Sequence, residues 1–259
     1  MSRLKVIVSV LIVSIYSLSS FAQEKGPSFI GVAGGVSIPT GNWGKSRLII
    51  SSTGYANDPA GFAAVGAISG VEGAWFFSKH FGLGGLFTYA SYKTKDPATL
   101  SLGYQQSFDV DSVHTNAGNY KVWNIMPGIY YNLPIAKKLA FTARALVGIT
   151  NVTTPQIDVS INDGGIHDSD LHQEKATKTS YAFDLGAGLS YRVIKCLAIN
   201  LRADYFYSKP DIAINNVSIA AGTNTAHSNS VGRRVDQYNE ALMGANISLG
   251  VAYVFHSKK

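Results

Sequence analysis

Hydrophobic and small or polar residues alternate with a period of two through most of this 259-residue chain. In the segment 180–192, Tyr181 and Phe183 alternate with Asp184 and Gly186. Successive side chains of a β-strand point to opposite faces, so this period predicts strands rather than helices. Seven further segments share the pattern, which predicts eight strands in all. They cover residues 29–38, 62–77, 81–92, 120–131, 139–150, 180–192, 197–208 and 240–255.

The connections between these strands alternate between short and long. The short turns are 78–80, 132–138 and 194–195, and the long loops are 40–61, 93–119, 151–179 and 209–239. Loops of more than about 15 residues are uncommon in compact domains. Because a long loop follows every second strand, all short turns lie at one rim and all long loops at the other. The pattern predicts an all-β fold, an eight-stranded antiparallel up-and-down β-barrel.

The aromatic residues indicate which face of the predicted barrel points outward. They concentrate near both ends of the apolar face, as in the aromatic girdles of membrane barrels. The opposite face carries Gly, Ser, Asn, Thr and charged residues, which argues against a soluble barrel around an apolar ligand. Strands of about ten residues cross a bilayer at a tilt, and an open sheet edge cannot lie in lipid. The predicted girdle residues are Trp75, Phe77, Phe81, Tyr89, Trp123, Tyr131, Tyr181, Tyr191, Tyr205, Tyr207, Tyr253 and Phe255.

The first 22 residues predict export. Arg3 and Lys5 precede an apolar run, and small residues stand at the cleavage positions before Gln23, as in a secretory signal peptide. Residues 1–22 are therefore a predicted signal peptide, and 23–259 the predicted barrel domain. The formal charge of +6 comes from scattered Lys and Arg, so no nucleic-acid partner is expected. The single cysteine, Cys196, excludes a disulfide framework.

Six ionisable residues lie on the predicted inward face. The interior of an eight-stranded barrel is just wide enough for side chains, and buried charges must pair. Three acids and three bases balance, which predicts a salt-bridged lumen. Glu72 and Arg144 are expected to face each other, and Arg202, with Arg144, to bridge Asp184 and Asp204 on adjacent strands. A narrow gated pore lined by the same groups is the alternative interpretation. The six residues are Glu72, Arg144, Asp184, Arg192, Arg202 and Asp204.

Other candidate chemistry is concentrated in the long loops. The third loop carries carboxylates and imidazoles of the kind that bind divalent cations, but it lacks the glutamate of an EF-hand, and we expect a solvated loop. His114 lies near Asp109 and Asp111, as in the external acid-histidine sites of barrel proteases, but those barrels have ten strands, so no protease site is expected here. No phosphate-binding glycine motif is present, and no cofactor is expected. The metal candidates are Asp163, His167, Asp168, Asp170 and His172.

Several segments resemble the outer-membrane β-barrel domain superfamily, the OmpA-like eight-stranded transmembrane barrels. Residues 70–77 (GVEGAWFF) and 81–89 (FGLGGLFTY) are similar to a strand-turn-strand unit of that family. Residues 125–131 with 139–144 resemble the middle hairpin, and 247–255 (ISLGVAYVF) resembles the closing strand. The closing strand is also similar to the signal read by the barrel assembly machinery, although four more residues follow its terminal aromatic residue.

The resemblance implies an integral protein of the outer membrane of a Gram-negative bacterium, with a periplasmic N-terminus. OmpA-like proteins often carry a peptidoglycan-binding domain after the barrel, but none is expected here, because the sequence stops at Lys259. The implied partners are outer-membrane lipids and lipopolysaccharide, the barrel assembly machinery during insertion, and an unknown external ligand at the long loops. A monomer is expected. The expected role is structural or surface-binding. A small gated porin is the alternative, and a lipid- or peptide-modifying enzyme is the third possibility.

Overall fold

A computed structural model describes residues 26–45, 61–95, 111–162, 169–220 and 230–255. These residues form thirteen strands and one turn of 3-10 helix. In chain order they are β1 (Ser28–Thr40), the helix η1 (Gly41–Gly44), β2 (Ala63–Phe76), β3 (Phe81–Thr94), β4 (Ser112–Ala117), β5 (Asn119–Pro134), β6 (Leu139–Thr153), β7 (Ile157–Asn162), β8 (Ser169–Gln173), β9 (Thr177–Ile194), β10 (Leu197–Ser208), β11 (Ile212–Ala220), β12 (Ser230–Tyr238) and β13 (Leu242–Phe255).

Eight of the strands form a closed antiparallel barrel in the order β1-β2-β3-β5-β6-β9-β10-β13. The first and last strands pair along their length, from Ser28 opposite Phe255 to Thr40 opposite Met243. The predicted fold class is therefore confirmed, and each barrel strand corresponds to one predicted segment. No helix among the described residues is long and apolar enough to cross a membrane. The predicted signal peptide, residues 1–22, lies outside the described residues and stays a prediction.

The outer wall of the barrel is apolar. Large aliphatic residues such as Val71, Leu83, Leu185 and Leu249 are exposed along it. A contiguous apolar surface of this kind is unusual for a protein surrounded by water and is typical of a lipid-facing wall. The strand period explains the arrangement, because every second side chain must point outward.

The twelve predicted girdle residues all point to this outer wall and are exposed or half-buried. Several form ring contacts near the short-turn rim, where the ring centroids of Phe81 and Tyr131 lie 5.2 Å apart and those of Tyr253 and Phe255 lie 4.9 Å apart. At the long-loop rim Tyr181 is 87% exposed. The rings therefore lie at both ends of the apolar wall.

The long connections were expected to be loops, and for three of the four this was wrong. Strands β4, β7, β8, β11 and β12 form a second sheet in the order β12-β11-β8-β7-β4. That order repeats the order of barrel strands β13-β10-β9-β6-β5, so each strand of the second sheet continues a barrel strand beyond the long-loop rim. We call this second sheet the outer sheet.

Short breaks separate the barrel strands from the outer sheet. Pro155 lies between β6 and β7, and Pro210 lies between β10 and β11; both are fully buried. Proline cannot donate to a strand ladder, so the hydrogen-bonded wall is interrupted there. Segment 157–162 nevertheless alternates with a period of two, whereas in segment 212–219 the alternation changes phase at Asn215-Asn216. These patterns were available in the sequence, but the segments are shorter than the strands that cross the bilayer.

The apolar wall predicts a depth-dependent effect of charge. Val71 points outward on β2, four residues from Trp75, and is 45% exposed. Val71→Arg should lower the free energy of unfolding in lipid vesicles by about 2–4 kcal/mol, because the charge enters the middle of the apolar belt. Val235→Arg on the outer sheet is the matched control, since Val235 is 59% exposed outside the barrel. The control should change stability by less than about 0.5 kcal/mol. If Val71→Arg and Val235→Arg lowered the free energy of unfolding equally in a urea titration, the apolar wall would not be the lipid-facing surface.

Candidate functional site: the closed lumen

A cluster of charged side chains crosses the middle of the lumen. Its members come from β2, β6, β9 and β10, and their residues are 3–9% exposed. The strand period turns each of them inward, and closure of the barrel brings the four strands around one narrow space. We call this group the lumen cluster. It consists of Glu72, Arg144, Asp184, Arg202 and Asp204.

Arg144 is the centre of the cluster. Its Nη1 donates to Glu72 Oε2 at 2.8 Å across the lumen. Its Nη2 lies 3.0 Å from Asp204 Oδ1, and its Nε lies 3.3 Å from Asp184 Oδ1. A planar guanidinium has five N–H donors, so a single arginine can contact three carboxylates at once. Arg144 therefore links strands β2, β9 and β10 from its own position on β6.

Arg202 has a different role from the one expected. Its Nη1 contacts Glu72 Oε2, and its guanidinium carbon lies 5.6 Å from the centre of the Phe29 ring. Asp184 and Asp204 are bridged by Arg144 instead. The register explains this, because Arg144, Gly186 and Asp204 lie side by side on β6, β9 and β10.

Gly186 makes that bridge possible. It lies between Arg144 and Asp204 in the register, and a Cβ added to it would collide with the Asp204 carboxylate and lie 3.1 Å from Arg144 Nε. Any side chain larger than hydrogen would therefore displace the ion pair. Close approach is one of the uses of glycine within a strand.

Arg192 does not join the cluster, contrary to the prediction. It lies eight residues beyond Asp184 on β9, close to the turn with β10. At a rise of about 3.3 Å per residue this is roughly 26 Å along the strand, which no arginine side chain spans. Arg192 is half-buried and forms no ion pair with a described residue. The cluster therefore contains three acids and two arginines, rather than a balanced six.

The lumen is also less polar than expected. Buried apolar side chains share the interior with the charges, among them Met126, Leu146 and Phe206. A narrow barrel is filled most simply by apolar volume, since each polar group placed there needs its own hydrogen-bond partner. The cavity beside the lumen cluster is only about 30 Å³. This corresponds to roughly one water molecule.

Trp43 blocks the lumen at the long-loop rim. It belongs to η1 and is completely buried. Its ring packs edge-on against Tyr92 at 4.6 Å and Tyr120 at 6.2 Å between centroids, and the Tyr92 hydroxyl shares a 2.8 Å hydrogen bond with Ser37. Tyr238 of the outer sheet packs against the same core, and burial raises the pKa of its phenol, with the charge of Glu240 as the second cause. We call these rings the aromatic plug.

Backbone and side-chain hydrogen bonds hold the segment that carries Trp43. Gly61 N donates to the Asn42 carbonyl at 2.8 Å, and Phe62 N donates to the Lys45 carbonyl at 2.9 Å. Asn42 Nδ2 also donates to Glu240 Oε2 at 3.0 Å. Gly41 has a φ of +61°, a conformation that favours glycine, and it turns the chain inward. The two ends of the first long connection are thus joined where they enter the barrel.

Sequence reasoning missed the aromatic plug because Trp43 lies in a predicted loop. One signal was present: a tryptophan between glycines, Gly41-Asn42-Trp43-Gly44. A large apolar side chain in a connecting segment is more stable when it is buried than when it is exposed to water. Nothing in the strand period indicated where that burial would occur.

The remaining candidate sites do not assemble into a centre. Asp163, His167, Asp168 and Asp109 lie outside the described residues. His172 Nδ1 lies 2.5 Å from Asp158 Oδ1 on neighbouring strands, while Asp170 and His114 are exposed. In the described part of the chain, no three His, Cys, Asp or Glu side chains are placed to hold a metal ion. Cys196 is a free, partly buried cysteine in the turn between β9 and β10.

The lumen cluster predicts strong coupling between Glu72 and Arg144. Removing Arg144 leaves Asp184 and Asp204 without their arginine contact, and removing Glu72 leaves Arg202 without its carboxylate. Each change leaves a buried charge without its partner, which costs roughly 3–5 kcal/mol where the site is dry. Glu72→Ala and Arg144→Ala should each destabilise the barrel, and the double variant should lose less stability than the sum of the two. A double-mutant cycle of urea unfolding measures the difference.

The matched control is Arg192→Ala, an arginine of the same barrel without an ion pair to a described residue. Combined with Glu72→Ala, it should be additive within about 0.5 kcal/mol. If Glu72 and Arg144 were also additive, the pairing would contribute nothing to stability.

Comparison with solved structures finds other outer-membrane barrels. Neisserial surface protein A is 14% identical, with 87% of this chain and 96% of that one covered and a TM-score of 0.40. Ail, the attachment invasion locus protein of Yersinia pestis, is 13% identical, with 90% and 99% covered and a TM-score of 0.39. OprG from Pseudomonas aeruginosa is 14% identical, with 91% and 99% covered and a TM-score of 0.40.

A sequence search of curated proteins found no significant match. The profile of the family described as "Outer membrane protein beta-barrel domain" matches residues 8–255, which is nearly the whole chain. The closed eight-stranded barrel with its apolar outer wall agrees with that family. The chain therefore belongs to the outer membrane protein β-barrel family.

Proposed function

We propose that this protein is a closed outer-membrane scaffold that presents the outer sheet to a partner outside the cell. The observation that carries the proposal is the obstruction of the lumen at two levels, by the aromatic plug and by the lumen cluster. The cavity beside the lumen cluster has a volume of only about 30 Å³, so the described side chains leave little space there. We propose no catalytic role for the lumen carboxylates, because each of them forms an ion pair with Arg144 or Arg202.

The outer sheet supports the binding role. One register row runs across all five of its strands, through His114, Ser160, Asp170, Ile219 and Val231. All five side chains are exposed. The row changes from polar to apolar, and a mixed surface of this kind on a rigid scaffold suits recognition of another macromolecule.

The proposed orientation places the short turns and the N-terminus in the periplasm. Short periplasmic turns and long external connections are the usual arrangement of outer-membrane barrels. The outer sheet and the aromatic plug then lie at the cell surface, and the apolar wall contacts membrane lipids and lipopolysaccharide. We further propose that the barrel assembly machinery inserts the protein into the membrane and that the inserted protein is a monomer.

A small channel is the second candidate. The lumen is already open near the short-turn rim, where a cavity of about 300 Å³ reaches inward as far as Arg202. The lumen cluster, the buried apolar side chains beside it and the aromatic plug separate this cavity from the opposite side. Displacement of η1 would remove the upper obstruction. A conducting wild-type protein would favour this candidate over the closed scaffold.

Planar-bilayer recording separates the two candidates. The refolded wild-type protein should show no stepwise conductance, because two layers of side chains fill the lumen. The Glu72→Ala, Arg144→Ala double variant should conduct more readily, since it removes the centre of the lumen cluster. Arg192→Ala is the control and should remain closed. Wild-type openings at moderate voltage would overturn the closed-scaffold proposal.

Cysteine labelling tests the orientation. In a Cys196→Ser background, Val235→Cys places a thiol on the outer sheet and Lys79→Cys places one in a short turn, and both positions are exposed. A membrane-impermeant maleimide should label Val235→Cys on intact cells. It should label Lys79→Cys only after the outer membrane has been permeabilised. The reverse pattern would invert the proposed orientation.

A further inference from the structure

The lumen opens at the short-turn rim into a cavity of about 300 Å³. Its volume equals that of roughly ten water molecules and is at the lower end of the range for small-ligand sites. Strands β1, β2, β5, β6, β9, β10 and β13 and the turn before β6 contribute to its wall. Its inner end is formed by Arg202, so the lumen cluster makes the cavity a closed pocket rather than a passage. We call it the rim pocket.

The described charged residues that line the rim pocket all have the same sign. They are Lys137, Lys138, Arg192 and Arg202, and no described acidic residue lines the pocket. Arg202 is neutralised by Glu72, but the other three cations form no ion pair with a described residue. The Arg192 backbone N–H donates to the Lys138 carbonyl at 2.7 Å, so the backbones of these two residues adjoin, and the Lys138 ammonium donates to the Val193 carbonyl at 3.5 Å. Like charges that line one cavity are stabilised when an anion binds there.

Two buried amides give a second, independent indication of a ligand. Asn132 is 8% exposed and Asn200 is 6% exposed, and both line the rim pocket. Neither side-chain amide forms a hydrogen bond with a described residue. Neither amide has a completely buried polar atom without a partner, so both reach the accessible space of the pocket that they line. The pocket therefore offers amide groups without a described protein partner beside cations without a described ion-pair partner.

The remaining wall of the rim pocket is mostly apolar, with Thr142 and Ser190 as polar members. Phe29 and Phe76 contribute aromatic surface, and Leu139 and Val254 contribute aliphatic surface. The Phe29 ring also packs edge-on against Tyr130, with centroids 6.0 Å apart. A fully hydrated inorganic ion would leave this surface in contact with water. A ligand with an apolar body would bury it.

The geometry points to the rim pocket as a binding site for a small organic oxyanion with an aromatic or short aliphatic body. The oxyanion binds near Arg192 and Lys138 at the mouth, where it accepts charge-assisted hydrogen bonds. The body extends inward against the Phe29 and Phe76 rings. The amide of Asn200 donates to or accepts from the polar groups of the ligand. This site lies at the opposite rim from the outer sheet and does not depend on the function proposed for that sheet.

Phenyl phosphate is a suitable probe because it combines an oxyanion with one aromatic ring. Isothermal titration calorimetry of the refolded full-length protein in nonionic detergent should show saturable binding with one site per chain. Benzyl alcohol and benzylamine, which have the same ring without the anion, should bind at least about tenfold more weakly, since a charge-assisted interaction worth about 1.4 kcal/mol is lost. These ligand comparisons need no variant.

Arg192→Gln should weaken phenyl phosphate binding about tenfold, for the same reason. Two controls remove one positive charge elsewhere. Lys195→Gln acts at the same rim but outside the pocket, and Arg233→Gln acts on the outer sheet. Each should change the affinity less than about twofold, because exposed charges are screened by solvent and salt. Unchanged heat-dependent mobility in detergent gels verifies that each variant folds.

The location of the ligand is tested on the wild-type protein by NMR. The side-chain amide resonances of Asn200 should shift on addition of phenyl phosphate and remain unchanged on addition of benzylamine. Absence of saturable binding, or equal binding of the neutral ring, would overturn the proposal. Equal weakening by Lys195→Gln and Arg192→Gln would also overturn it, because attraction to the whole rim would then explain the binding.

Discussion

Closure of the β-sheet is the constraint on which the rest of the structure depends. Lipid offers no hydrogen-bond partner, so every backbone group within the apolar belt must be satisfied inside the protein. The chain meets this requirement by pairing β1 with β13 along the whole of β1. Closure with eight strands also leaves an interior only wide enough for side chains. The narrow lumen is thus a consequence of the membrane environment.

The narrowness of the lumen determines how charges are held in it. Arg144 reaches carboxylates on three other strands because none of those strands is far away. Gly186 provides the space through which one of these contacts passes. The same contacts join opposite walls of the barrel, so a group that fills the lumen also ties the strands together. Stability and closure of the passage therefore have a common origin.

Beyond the lipid-facing wall, water can hydrogen-bond to the backbone, so the sheet no longer has to be closed. Among the described residues, five strands continue as the outer sheet and no strand continues β1, β2 or β3, so β4 and β12 are the edges of the described sheet. The aromatic plug lies where the two regions meet, with Trp43 inserted from η1. The short-turn rim differs from the long-loop rim, because its turns are short and the rim pocket opens there. One barrel thus has two unlike ends, a sealed end with an extended sheet and an open end with a cationic pocket.

The sequence by itself determined the eight barrel strands, the outward aromatic and aliphatic wall, and the inward position of Glu72 and Arg144. These features follow from the two-residue period, which is a local property of the chain. Only the tertiary structure decided that Arg144 rather than Arg202 bridges Asp184 and Asp204, that Arg192 lies too far along β9, and that the connections form the outer sheet. Those outcomes depend on register between strands and on the packing of distant segments. Neither is encoded in the alternation of any single strand.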